Sequence, residues 1–112
     1  MTGVTETTIA GLVFNLGAID RIPPGEGREY EVAGRLVAVF RERGGALFAT
    51  QARCPHREGH LADGIVGGGQ VICPMHARKF ELRTGQAVGN DCPALRAYPV
   101  RLHENNEITL TL

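Results

Sequence analysis

The sequence predicts an all-β fold, a small antiparallel sandwich or barrel. Apolar and polar residues alternate with a period of two in several short segments, and turn residues such as glycine, proline and asparagine separate those segments. The 3.6-residue periodicity of an amphipathic helix is almost absent. The 112 residues are enough for one core but leave no room for a second catalytic domain. We therefore expect a single domain over residues 1–112.

The first half of the chain contains four segments with strand-like patterns, which are residues 12–16, 29–32, 36–40 and 47–50. Residues 17–27 contain two prolines and several glycines, so they are predicted to form a loop between the first two strands. The turn at Ala33-Gly34 predicts a hairpin between the second and third strands. A further turn at residues 43–45 leads into the fourth.

The second half contains four more candidate strands, which are Gln70–Ile72 and residues 80–82, 98–102 and 108–112. Thr84-Gly85-Gln86 marks a turn after the second of these strands. Pro99 lacks a backbone N–H, so it indicates an edge strand or a bulge in the third. Asn105-Asn106 supplies turn residues before the fourth, and we expect the last two strands to pair.

Two short loops carry residues of the types that bind metals. The first is Cys54-Pro55-His56, the second is Cys73-Pro74-Met75-His76, and sixteen residues from Arg57 to Ile72 separate them. Each loop supplies one thiol and one imidazole, which are the soft and borderline ligands that bind zinc, copper or iron. If the loops face each other, the four side chains of Cys54, His56, Cys73 and His76 converge.

The division of ligands between the loops distinguishes two kinds of site. A structural zinc site usually takes a pair of cysteines from one loop and a pair of cysteines or histidines from another. Here each loop is mixed, which suits a cluster of two unlike irons where both cysteines bind one iron and both histidines the other. Zinc remains the alternative on ligand chemistry alone.

The residues beside the ligands favour rigid, closely packed loops. Pro55 and Pro74 fix the backbone immediately after each cysteine. Gly59 and Gly64 follow the first loop and permit close approach of backbone around a bulky inorganic group. The run at residues 67–69 is equally well explained as a plain hairpin turn.

The spacing Cys54-x-His56, sixteen residues, Cys73-x-x-His76 resembles that of the Rieske family. The resemblance extends over residues 12–112 and implies an all-β fold with a base of outer strands. It also implies a smaller cluster-binding subdomain at about residues 52–82, which carries both loops. The implied cofactor is one 2Fe-2S cluster per chain, held by the four residues named above, with Nδ1 of each histidine on iron.

The sequence departs from one branch of that family at four positions. The branch found in respiratory and photosynthetic cytochrome complexes has a disulfide between positions that are Gly59 and Met75 here. It also has a serine and a tyrosine that donate hydrogen bonds to cluster sulfur, where this chain has Arg78 and Phe80. Fewer donors destabilise the reduced cluster. The chain therefore resembles low-potential ferredoxins that serve bacterial oxygenases, with a potential in the lower part of the range of roughly −150 to +300 mV.

No catalytic signature accompanies this site. The sequence lacks a recognisable nucleophile and base pair, a phosphate-binding glycine loop and a dinucleotide fingerprint. We expect an electron carrier rather than an enzyme, which takes one electron from an NAD(P)H-dependent flavoprotein reductase and passes it to a terminal oxygenase through His56 and His76. The expected rim of the weak docking surface is Pro55, Arg57, His60, Met75, Ala77 and Arg78.

Two other functions compete with this one. Gly85-Gln86-Ala87 and the segment from Cys92 to Val100 also resemble the small subunit of NAD(P)H-dependent nitrite reductases, whose large subunit would then be the partner. Oxygenase ferredoxins are similar in those segments, so the sequence does not separate the two. The third possibility is a structural zinc module that binds partners.

Composition gives further expectations. Twelve basic residues balance twelve acidic ones, which provides no reason to expect a nucleic-acid partner. No apolar run reaches the eighteen or so residues that span a bilayer, and no positive charge precedes the short apolar segment at residues 9–14. We expect a cytoplasmic protein without a membrane anchor, and a monomer when it is free of its partners.

Several residues near the motif have plain structural explanations. Cys92 is expected to be a small buried hydrophobe or a thiol packed near the loops. His60 and His103 are expected at the surface, since His56 and His76 already complete the ligand set. Positive charge on Arg57, Arg78 and Lys79 could steer an acidic partner or simply be solvated. Met75 is either a lid on the cluster or a filler of the space that a disulfide occupies elsewhere.

Overall fold

The computed structural model describes residues 12–56 and 58–112, which form strands and two short 3₁₀ turns at Ile19–Arg21 and Leu61–Asp63. The strands are β1 (Val13–Ala18), β2 (Glu26–Val32), β3 (Arg35–Arg41), β4 (Leu47–Gln51), β5 (Ile65–Gly67), β6 (Gln70–Ile72), β7 (Lys79–Glu81), β8 (Ala87–Val88), β9 (Ala97–Tyr98), β10 (Val100–Leu102) and β11 (Glu107–Thr111). The predicted all-β fold is confirmed. Among the described residues, no helix is long and apolar enough to cross a membrane.

The strands form three antiparallel sheets. The first has the order β1-β11-β10, the second β2-β3-β4-β9 and the third β5-β6-β7-β8. The first two sheets make the base, and the third follows the first metal-type loop and surrounds the second. This division matches the base and smaller subdomain that the resemblance implies, although the third sheet continues past residue 82 to Val88.

Strand β3 separates two hydrophobic cores. Its residues at 37–40 are Val, Ala, Val and Phe, and all four are fully buried. Because side chains alternate along a strand, Val37 and Val39 enter the core of the base, whereas Ala38 and Phe40 enter a second core. That second core contains Cys54 and Cys73. The uninterrupted apolar run at residues 37–40 therefore reflects a strand that is buried on both faces. Strand β3 thereby packs the metal-type loops against the base.

The first strand ends later than the sequence pattern indicates. Strand β1 runs to Ala18, whereas the prediction ended it at residue 16 and began a loop at Gly17. The pairing with β11 shifts register between Asn15 and Gly17, where Gly17 has a φ of +92°. The side-chain oxygen of Asn15 accepts the N–H of Gly17 at 2.7 Å. A bulge therefore continues the strand through a residue that resembles a terminator.

Pro99 lies between two edge strands, which agrees with the edge position predicted for it, and the chain changes sheets there. Strand β9 before it pairs with β4, and strand β10 after it pairs with β11. Alternating apolar residues on both sides of Pro99 made the two strands resemble one continuous element. The predicted pairing of the last two strands is confirmed, and Asn106 at their turn has a φ of +65°.

Candidate metal centre

The two metal-type loops have the same backbone geometry although their histidines occupy different positions. In each, the cysteine N–H donates to the carbonyl five residues later, Cys54 to Gly59 at 2.8 Å and Cys73 to Arg78 at 2.8 Å. Each cysteine carbonyl accepts the N–H of the residue four positions later. Cys54 accepts from Glu58 at 2.7 Å, and Cys73 accepts from Ala77 at 3.0 Å. Glu58 and Ala77 both have a φ of +57°.

This left-handed backbone is unfavourable for residues other than glycine, at roughly 1–3 kcal/mol each. Glu58 and Ala77 adopt it at the same position of each loop. Surrounding structure must therefore hold the strained turns in place. The repeated strain is an observed property of the loops, and strain of this kind concentrates at functional sites.

The two thiols lie together inside the protein. Cys54 and Cys73 are each about 1% exposed, and they belong to the core that includes Phe40 and Phe80. Burial raises the pKa of the Cys73 thiol, the backbone N–H groups of Met75 and His76 oppose the rise, and the hydrogen bond with Cys54 adds to it. A thiol loses its proton when it binds a metal. Acidic solution therefore favours the metal-free thiol at Cys73.

The two imidazoles form a second pair nearer the surface. The ring centroids of His56 and His76 are 5.0 Å apart, and the rings meet edge to face at 88°. His76 is exposed, whereas His56 is half-buried. The loops thus present a buried pair of thiols and an outer pair of imidazoles. Among residues 12–56 and 58–112, no three Cys, His, Asp or Glu side chains lie where they could share one metal ion.

Gly59 and Met75 face each other across the loops. A Cβ built on Gly59 would collide with Cγ of Met75 and would lie 3.1 Å from Sγ of Cys73. Met75 therefore fills the space over Gly59, although its side chain is still 53% exposed. These are the positions that the other branch joins by a disulfide, and here a glycine and a flexible thioether replace it.

The residues present fit an iron-sulfur cluster. Two buried thiols and two outer imidazoles match the donors of a cluster with two unlike irons. Nε of Arg78 is buried and has no hydrogen-bond acceptor among the described residues. A buried donor without an acceptor costs about 1–3 kcal/mol, and the sulfide of a cluster is an acceptor that these residues do not supply themselves.

Arg78 extends onto one of the imidazoles. Its Nη2 lies 3.3 Å from Nε2 of His56. An open cavity of about 570 Å³ lies beside this contact, and the segment at residues 89–93 forms its far wall. Asn90 fixes that wall, because its Nδ2 donates to the carbonyls of Lys79 and Val88 and its Oδ1 accepts the N–H of Cys92. The sequence indicated Arg78 as a charge at the rim but not its contact with His56.

The imidazole of His60 contacts the base of the fold. Its Nδ1 lies 2.6 Å from Oε2 of Glu29 on β2, and its backbone forms a bridge with Arg53. His60 thus connects the first loop to the base. Its exposed position agrees with the expectation of a surface residue outside the ligand set.

Replacing His60 with alanine is expected to leave the metal centre intact. The variant loses only the pair with Glu29, and exposed ion pairs contribute about 0–1 kcal/mol. The free energy of unfolding should therefore fall by less than about 1 kcal/mol, and the visible and paramagnetic spectra should match the wild type. A variant that loses its colour would overturn the ligand assignment.

Of the other residues considered from the sequence, one lies beside the metal-type loops. Cys92 is half-buried, packs against the core that contains Cys54 and Cys73, and lines the cavity beside His56. His103 lies on the turn between β10 and β11, where Nε2 is 2.8 Å from Oγ1 of Thr109. Lys79 is exposed on β7. Arg57, which the sequence placed on the docking rim, lies outside the described residues.

Known proteins match the chain over most of its length. The family described as Rieske [2Fe-2S] domain matches residues 13–99. The biphenyl dioxygenase ferredoxin subunit of Pseudomonas sp. (strain KKS102) is 37% identical over 87 residues, which cover 76% of this chain and 79% of that protein.

Two solved structures share the fold. One is a protein of Mycobacterium tuberculosis assigned as an NADH-dependent nitrite reductase small subunit, with a TM-score of 0.83, 26% identity, and coverage of 91% of this chain and 96% of that one. The other is a chain in the complex of reduced oxygenase and oxidised ferredoxin in carbazole 1,9a-dioxygenase. It has a TM-score of 0.77, 26% identity, and coverage of 88% of this chain and 92% of that one.

Proposed function

We propose that this chain, which belongs to the Rieske [2Fe-2S] domain family, carries single electrons from an NAD(P)H-dependent flavoprotein reductase to a terminal oxygenase. The chain is an electron carrier with a 2Fe-2S cluster and not a catalyst. The observation that carries the proposal is that the same two loops hold a pair of buried thiols and a pair of imidazoles nearer the surface. The likeness to a dioxygenase ferredoxin subunit supports the oxygenase as acceptor.

The proposed ligands are Cys54 and Cys73 on the inner iron, and His56 and His76 on the outer iron. When bound, the cluster supplies a couple that gains and releases one electron. The chain contributes the dry surroundings of the thiols and rigid loops, so that little rearrangement accompanies the gain of an electron. The exposed ring of His76 and the half-exposed ring of His56 are the proposed route of exit to a partner.

The surface around the imidazoles is the proposed docking site. Met75 and Ala77 are exposed there, and Pro55 and Arg78 are half-buried beside them. Electron-transfer encounters use small interfaces of less than about 1,200 Å², so a small docking surface around the imidazoles is sufficient. A complex of oxygenase and ferredoxin exists for the structurally similar carbazole 1,9a-dioxygenase system, which supports an oxygenase as the partner at this tip.

The reduction potential is expected in the lower part of the range of roughly −150 to +300 mV. Phe80 is fully buried and has no hydroxyl to donate, and Arg78 replaces the serine of the high-potential branch. Fewer hydroxyl donors to cluster sulfur leave the reduced form less stable. Protein-film voltammetry measures this directly, and a potential near the top of the range would contradict the account.

The small subunit of an NAD(P)H-dependent nitrite reductase is the second candidate, favoured by the structural likeness to the Mycobacterium tuberculosis protein. Copurification from the native host separates the two functions. A monomer that reduces an oxygenase when supplied with reductase and NAD(P)H supports the first. A stable complex with a large sirohaem-containing subunit supports the second, and a colourless zinc protein would exclude both.

We also infer that residues 1–112 act as one domain, with both loops in a cluster-binding subdomain of about residues 52–82. The core shared between β3 and the two cysteines supports this unity. A cytoplasmic location is inferred from the NAD(P)H-linked electron source and from the absence of disulfides among Cys54, Cys73 and Cys92.

A further inference from the structure

We propose that Arg78 is a positioning residue whose cation, held against His56, raises the reduction potential of the metal centre. This inference rests on the proposed assignment of His56 as a ligand. The contact joins Nη2 of Arg78 to Nε2 of His56 over 3.3 Å. When Nδ1 binds metal, Nε2 carries the ring proton and cannot accept from the guanidinium. The cation therefore acts on the ligand through its field rather than through a hydrogen bond, and it does not compete for the coordinating atom.

The backbone and the neighbouring segment hold Arg78 in this place. Its carbonyl accepts the N–H of Cys73 at 2.8 Å, which fixes residue 78 relative to a proposed ligand. Its side chain is half-buried and borders the cavity walled by residues 89–93. The guanidinium is therefore less free to swing into solvent than an ordinary surface arginine.

No carboxylate neutralises this cation at close range within the described part of the chain. The two ion pairs found there are Arg28 with Glu26 and His60 with Glu29. Asp91 lines the same cavity but is exposed to solvent. Because arginine keeps its charge at every pH that the protein tolerates, the field at His56 is permanent.

The sign of the effect follows from electrostatics. Reduction adds one negative charge to the centre, and a fixed positive charge nearby stabilises the more negative form. Salt screens partly buried charges less than exposed ones. Nε of the same guanidinium is buried and has no acceptor among the described residues, so it would be a further donor to a bound cluster. Arg78 thus replaces part of the stabilisation lost with the hydroxyl donors, and the low potential would be lower still without it.

Voltammetry of the loaded full-length protein tests the inference, at fixed pH and ionic strength. Arg78→Gln should shift the equilibrium between oxidised and reduced forms about tenfold toward the oxidised form, which corresponds to a potential about 59 mV lower. Arg78→Lys, which keeps the charge, should retain most of the wild-type potential. Arg83→Gln is the matched control, because Arg83 is an exposed arginine in the turn that follows β7.

A potential of Arg78→Gln that moves no further than that of Arg83→Gln would overturn the inference. An Arg78→Lys potential as low as that of Arg78→Gln would also overturn it, since the charge would then not be the cause. Arg78→Met keeps the apolar stem without the charge and replaces Arg78→Gln if the latter does not fold. Iron content and the spectrum of the reduced protein are recorded for each variant, which shows whether the cluster is present. His56→Ala tests the ligand assignment separately, because this variant should lose the cluster.

Discussion

Replacing Cys73 with serine is expected to remove the cluster, whereas replacing Cys92 with serine leaves it in place. Cys73 is about 1% exposed, and its thiol lies in hydrogen-bond contact with Cys54. A serine hydroxyl is a harder and far less acidic ligand than a thiol, so it binds iron poorly beside sulfide. Because this position is buried, water cannot reach it to act as a substitute ligand.

The expected result for Cys73→Ser is a fall from about two irons per chain to nearly none, with loss of the visible and paramagnetic spectra. Because metal binding free energy is also folding free energy, the variant should unfold at lower denaturant concentration than the loaded wild type. Iron and sulfide analysis together with urea unfolding measures both effects.

Cys92→Ser is the matched control for that experiment. Cys92 is the third cysteine of the chain and packs against the same core, but its side chain is only half-buried. The control should keep its full iron content. A Cys73→Ser protein with an unchanged spectrum, or a Cys92→Ser protein without iron, would contradict the ligand assignment.

Replacing Gly64 with alanine is expected to destabilise the protein by about 3 kcal/mol, at the upper end of the range for overpacking. Gly64 follows the 3₁₀ turn Leu61–Asp63, and its backbone is extended, so alanine could adopt the conformation. The obstacle is space. A Cβ at Gly64 would collide with the carbonyl oxygen of Ile72 and would lie 3.1 Å from that of Leu61.

The collision involves backbone, which cannot turn aside as a side chain can. Ile72 immediately precedes Cys73, so a displaced Ile72 carbonyl also displaces a proposed ligand. Gly67→Ala, at the end of strand β5 that follows Gly64, is the matched control, because nothing lies within 4 Å of a Cβ at that position. Urea unfolding should show a change of less than about 0.5 kcal/mol for the control. Equal stabilities of the two variants would contradict this packing around the loops.

The strands of the base could be predicted from the sequence because their apolar residues are buried in the hydrophobic cores on the two faces of β3. Residues 36–40 form an uninterrupted apolar run, and the structure explains it by burial on both faces of β3. Strands β5 and β8 were not predicted. They contain three and two residues, which are too few for an alternating pattern to appear. Their existence depends on pairing with β6 and β7.

Spacing alone indicated the four metal-type residues, because ligand chemistry restricts which side chains occur there. Contacts between distant parts of the chain left no comparable signal. Arg78 and His56 are 22 residues apart, and His60 and Glu29 are 31 apart. Arginine residues are common in surface loops. Only the folded structure therefore distinguishes an arginine that contacts a proposed ligand, as Arg78 does, from one that is simply solvated.

Electron paramagnetic resonance of the dithionite-reduced protein, combined with metal and sulfide analysis, tests the central claim most directly. Two irons and two sulfides per chain are expected, with one unpaired electron that disappears on reoxidation and a spectrum showing nitrogen ligation of one iron. A colourless protein with a single zinc ion and no signal after reduction would contradict the proposed function at its foundation.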